Sequence, residues 1–127
     1  MSTELKKFSS LLRRLVLRAG EGKLQWSEGA EFNTFSNSVA NHTVLIGEKG
    51  QDYFLRVINS EGEIIDEFDD EYLKTSYRTV FNRSSYEDMR DLFQMARRNA
   101  QGSDKVIDEI IDELSETGDL LEDDLPF

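Results

Sequence analysis

From residue 42 to residue 68 the chain reads HTVLIGEKGQDYFLRVINSEGEIIDEF, three short runs in which Val, Ile, Leu, Tyr and Phe alternate with polar residues. Two glycine-bearing interruptions divide them, GEKGQ at 47–51 and NSEG at 59–62. Period-two alternation bounded by turn chemistry predicts an antiparallel meander. Four-residue connections at 48–51 and 59–62 pair Gly47 with Asp52 and Ile58 with Glu63. Ile46 then faces Tyr53, Val44 faces Leu55, Val57 faces Ile64 and Tyr53 faces Phe68.

Alternation sorts these residues onto two faces. Val44, Ile46, Tyr53, Leu55, Val57, Ile64 and Phe68 make one, a plain core face. Leu45, Phe54, Ile58 and Ile65 make the other, mixed with Thr43, Arg56 and Glu67. That second face is more apolar than solvent alone calls for. Leu45, Phe54, Arg56, Ile58 and Ile65 are therefore the candidate interaction face, to be covered by a second helix layer or by another molecule.

Elsewhere the period lengthens. Over residues 3–19, behind a Ser2 or Thr3 cap, Leu5, Phe8, Leu11, Leu12, Leu15 and Val16 fall on one stripe of a helix. Ser9, Ser10 and the basic residues take the opposite side, and Gly20 and Gly22 end the helix. Such a helix reads as one that packs on the core rather than on a membrane. A short extended run follows at 23–26, with the single Trp26 as a core or edge anchor, then a loop at 27–31. Residues 32–40 (FNTFSNSVA) predict a polar edge strand with Phe35 and Val39 on one face. Between 69 and 83, Asp69 or Asp70 caps a short helix through Tyr77, and 79–81 is extended.

Ser84 and Glu87 form a capping box before Tyr86, Met89, Leu92, Phe93, Ala96 and Ala100, and Gly102 stops that helix. Ser103 caps a last helix with an apolar stripe of Val106, Ile107, Ile110, Ile111 and Leu114. The expected fold is α+β: an N-terminal helix, an antiparallel meander of about four strands, then two or three helices on one sheet face. Residues 1–117 form this single domain and 118–127 an acidic tail.

Charge narrows the choice of partners. The 127 residues carry a net charge of −11, and residues 102–127 hold ten acids against one base. Residues 1–24 hold six bases and two acids. Binding a phosphate backbone needs a concentrated basic surface, and the field of the whole chain opposes the one basic helix. No direct nucleic-acid binding is expected. No stretch approaches the ~20 apolar residues of a membrane span. The first apolar run is broken by Arg13, Arg14 and Arg18, unlike a secretory leader, so no membrane partner and a cytoplasmic location are expected.

Catalytic chemistry finds little purchase. Cysteine is absent and His42 is the only histidine, so thiolate sites and a nucleophile relay are not available. The acids Asp66, Glu67, Asp69, Asp70 and Glu71 lack calcium-loop spacing. GEGK at 20–23 has Leu17 where a phosphate loop needs glycine and Leu24 where it needs Ser or Thr. We expect no catalytic residue, no metal and no cofactor, and no small-molecule substrate is identified.

The leucine-rich first helix leading to GEGKLQW, the strand pair TVLIG and DYFLRVINSEGEII, and the segment DLFQMARRNAQGSDKVIDEIIDEL resemble a group of small, uncharacterised bacterial and phage-borne α+β proteins. The resemblance implies a prokaryotic, cytoplasmic origin and brings no activity. The leading expectation is a non-catalytic protein-interaction or regulatory module, self-associating as a homodimer or bound to a protein partner. An acidic decoy that occupies a nucleic-acid-binding protein, through Asp108, Asp112, Glu113 and Glu116, is the alternative. A small enzyme without a recognisable motif is the second.

Overall fold

The computed structural model describes residues 2–115. The acidic tail expected at 118–127 lies outside them. Helix α1 (Thr3–Gly20) opens the chain, with the Ser2 side chain accepting from the Leu5 N–H at 3.1 Å. A five-stranded antiparallel sheet follows in sequence order: β1 (Ser27–Glu28), β2 (Thr34–Val39), β3 (His42–Lys49), β4 (Asp52–Ile58) and β5 (Ile64–Asp69). Three helices complete the α+β fold: α2 (Asp70–Phe81), α3 (Ser85–Gln101) and α4 (Ser103–Leu114).

The extra strand is β1, where a loop is expected at 27–31. Flanking groups hold this stretch between α3 and β2. The Trp26 N–H donates to Asn99 Oδ1 at 2.7 Å, and Asn37 Nδ2 donates to the Gln25 carbonyl at 2.6 Å. Trp26 itself is buried. Within β2, Phe35 is buried, whereas Val39 is exposed, so the two do not share the core.

Both meander registers differ from the four-residue connections. Lys49 pairs with Asp52 across a two-residue turn, with Gly50 at φ +65°. Ile46 consequently faces Leu55, and Val44 faces Val57. A slip of two residues leaves every side chain on its own face. Val44, Ile46, Tyr53, Leu55 and Phe68 accordingly form the sheet's half of the core. Between β4 and β5, Leu55 pairs with Phe68, and a bulge at Val57/Ile58 breaks the alternation. Beyond that bulge Ile64 leaves the core and is 60% exposed. Gly47 leaves room for the ring of its cross-strand partner Phe54, whose Cζ would lie 2.5 Å from a Cβ at this position.

The helices α1, α2 and α3 supply the other half of the core. Phe8 stacks on Phe68 with centroids 4.2 Å apart, and Phe93 meets Phe35 and Tyr53, each at 5.4 Å. Helix α2 runs on to Phe81 where an extended 79–81 is expected. The β-branched Thr79 and Val80 favour strand locally, but continuing the helix sets Phe81 one turn beyond Tyr77, at 5.1 Å between rings. Asn82, in the left-handed region at φ 54°, then ends it. Ser9 is buried on α1 despite its expected place on the polar side.

Candidate protein-interaction surface

The surface candidates are built from two places, the outer face of the sheet and the last helix. On the outer sheet face the domain covers much of its own apolar surface. Leu45 and Phe54 are buried, at 6% and 9% exposure. Arg56 lies across them: its guanidinium carbon sits 5.3 Å from the centroid of the Phe54 ring. The same side chain donates from Nε to Glu67 at 2.7 Å and from Nη1 to Glu31 at 2.9 Å. Glu31 belongs to the loop before β2, so that loop and β5 jointly pin the arginine. A planar guanidinium suits this place because it stacks on a ring and donates in two directions at once. Ile58 is half-buried and Ile65 is 55% exposed at the far end. The five residues singled out on this face thus divide into a covered pair, its arginine lid, and two isoleucines toward solvent.

Nearby, Phe32 is the most exposed large apolar side chain among the described residues, at 91%. A groove of about 520 Å³ lies between α1, the β3–β4 hairpin and β5, lined by Glu4, Phe8, Lys49, Asp52, Tyr53, Phe54, Glu67, Phe68, Asp69 and Tyr72. The buried carboxylates are engaged elsewhere. Asp70, pushed up by burial, accepts the Tyr53 N–H at 2.9 Å. Asp88 accepts from Tyr77 and is forked by Arg83. His42 stands exposed at the start of β3. No group of three or more His, Cys, Asp or Glu is placed to hold a metal ion among the described residues.

Helix α4 is different in kind. Gly102, at φ 62°, ends α3 and caps α4 in one step, so the two helices meet at a corner. Ser103 is already the first residue of the helix and does not cap it; Gly102 takes the N-cap place, with no side-chain hydrogen bond. From this corner α4 reaches the domain through α3, where Arg98 donates to Asp104. Every residue from Asp104 to Ser115 is exposed. That includes the whole apolar stripe, from 46% at Ile107 to 73% at Leu114. Sequence periodicity identifies this stripe, but periodicity cannot tell a core face from an uncovered one.

Among the described residues, no helix is long and apolar enough to cross a membrane. The fold and this surface define an α+β domain carrying an uncovered amphipathic helix. Comparison with family models, with curated proteins and with solved structures yields no match.

Proposed function

We propose that this chain is a non-catalytic protein-interaction module whose contact element is α4. One observation carries this: five large aliphatic side chains, at helical spacing, stand uncovered on one three-turn helix. Scattered surface apolar residues are ordinary, whereas a contiguous stripe marks an association surface. An amphipathic helix held outside its own domain is one half of a helix-in-groove contact. Self-association through the outer sheet face has less to rest on, because Arg56 lies over Phe54. An acidic decoy would need only the carboxylates of α4, and the isoleucines between them would have no part to play.

The test is affinity capture with the full chain and its Ile110→Asp variant in parallel, both confirmed folded by circular dichroism. A protein retained by the first and lost with the second supports α4 as the contact element. Identical captured sets would refute it.

A further inference from the structure

Resting on α4 as the contact element, we infer that its occupant is a basic amphipathic helix of another protein, and not a second copy of this chain. The inference comes from what borders the stripe. At 100° per residue, Val106, Ile110, Leu114, Ile107 and Ile111 occupy one continuous arc of α4. Glu113 and then Glu109 follow on one side of it, and Asp104 and then Asp108 on the other, while Asp112 falls on the side facing away from the arc. Lys105, the single base of the helix, points directly away from the arc. Asp104 is already held by Arg98, while Asp108, Glu109, Asp112 and Glu113 have no basic partner among the described residues. Both borders of the apolar surface are therefore negative.

Flanking charges choose the partner of an apolar helical seam. Packing α4 on α4 of a second copy sets acidic borders against acidic borders, whether the helices run parallel or antiparallel. The basic side of α1 in a second copy offers Lys6, Lys7, Arg14 and Arg18, but only Leu17 as an exposed large apolar residue, so it has no stripe to match. Residues 116–127 supply leucines with five acids and no base, which repeats the conflict. An anionic lipid surface is repelled for the same reason. A helix with an aliphatic stripe bordered by Lys or Arg satisfies both features together.

The experiment uses the full chain and three synthetic peptides, read by fluorescence anisotropy at low and high salt. One peptide has a leucine stripe flanked by lysines, the second the same stripe flanked by glutamates, and the third the lysines with serines replacing the stripe. The first should bind at least about tenfold more tightly than either other, and weaken as salt screens its charges. Ile110→Asp should abolish that binding. The combined Asp108→Lys, Glu109→Lys and Glu113→Lys variant should reverse the preference toward the glutamate peptide.

Equal binding of the two leucine peptides would overturn the inference. So would a micromolar dimer in sedimentation that Ile110→Asp dissolves; that result assigns the stripe to a second copy and leaves α4 as the contact element. Removal of residues 116–127 that tightens binding more than about tenfold assigns the stripe to the tail, and also overturns it. Co-sedimentation of the wild type, but not Ile110→Asp, with phosphatidylcholine or phosphatidylserine vesicles assigns it to lipid, with the same consequence. Lysine-peptide binding that Ile110→Asp leaves unchanged would overturn both this inference and the role of α4.

Discussion

The hydroxyl of Tyr77 donates a 2.5 Å hydrogen bond to Oδ2 of Asp88, joining α2 to α3 between two fully buried residues. Arg83 forks onto the same carboxylate, with Nε 2.9 Å from Oδ2 and Nη2 2.8 Å from Oδ1. Arg13 reaches it from α1 at 3.3 Å. One carboxylate thus ties three helices together. Asp88→Ala leaves the buried Tyr77 hydroxyl without its acceptor, while Arg83 and Arg13 both reach solvent, so it should lose about 1–3 kcal/mol in urea unfolding. Tyr77→Phe should lose about 1.5–3 kcal/mol, the range for a hydrogen bond to a charged group. A Tyr77→Phe loss within the noise of the measurement would show that the arginines alone satisfy Asp88.

Two buried carboxylates should oppose one another as pH changes. Burial raises the Asp88 carboxyl, but hydrogen bonds from Arg83 and Tyr77, with the charges of Arg83 and Arg13, outweigh it and hold the group below its usual range. Its stabilising effect is present above the unfolded value of about 3.9 and is lost as pH falls through the lower folded value. Asp70 is raised, chiefly by burial, and the Tyr53 N–H only partly offsets this. Its contribution is full below the unfolded value and is lost as pH rises through the higher folded one. Subtracting stability curves isolates each group. The gap between wild type and Asp88→Asn should shrink below about pH 4, whereas the Asp70→Asn variant should gain on wild type as pH rises above it. Parallel curves for either variant would rule out that assignment.

Arg56 should act as a lid on the outer sheet face. Arg56→Ala would expose Leu45 and Phe54 and free Glu31 and Glu67, at a cost of about 1–2 kcal/mol. The uncovered face should bind a hydrophobic dye and promote association in light scattering. Arg56→Lys should restore little of this, because an ammonium cannot stack on the Phe54 ring while donating to both carboxylates. Full rescue by lysine would mean that charge alone closes the face.

The turn between β2 and β3 places Ala40 at φ 51° and Asn41 at φ 67°, with Val39 paired to His42. Two positive φ angles are what a two-residue hairpin of matching twist requires, and alanine is poorly suited to the first. Ala40→Gly or Ala40→Asn should raise stability by ~0.5–1 kcal/mol, read as a higher midpoint in urea. No change in either variant would show that the turn relaxes around alanine at little cost.

That hairpin also shows where the sequence stops being legible. Ala-Asn is not among the dipeptides that announce a two-residue turn, so 32–40 reads as a lone strand with an open end. In the next hairpin GEKGQ holds two glycines, and only pairing energy across the sheet selects the tighter turn at Gly50. The faces of β3 and β4 survive that slip because side chains repeat every two residues. At Val57/Ile58 a bulge breaks the repeat, and Ile64 moves off the core face. The apolar outer face is visible in composition, but its arginine lid is not, since Glu31, Arg56 and Glu67 meet only once the strands are side by side. Helix α4 shows the same limit, because its stripe has the spacing of a core helix and only the Gly102 corner turns it outward.

The difference between these two kinds of apolar stripe can be measured within one molecule. Leu92 on α3 is fully buried, so Leu92→Ala removes packed atoms and leaves a cavity, and should cost about 2–5 kcal/mol. Ile110 on α4 is 53% exposed at matching helical spacing. Ile110→Ala gives up little buried area, and alanine's helix propensity offsets part of the loss. Its stability should therefore stay within about 0.5 kcal/mol of wild type. Amide exchange makes the same distinction: α4 should exchange faster than α3, because local opening of α4 exposes almost no apolar surface. A cost at Ile110 comparable to that at Leu92 would mean the stripe is already covered within the free chain, leaving no surface for a partner.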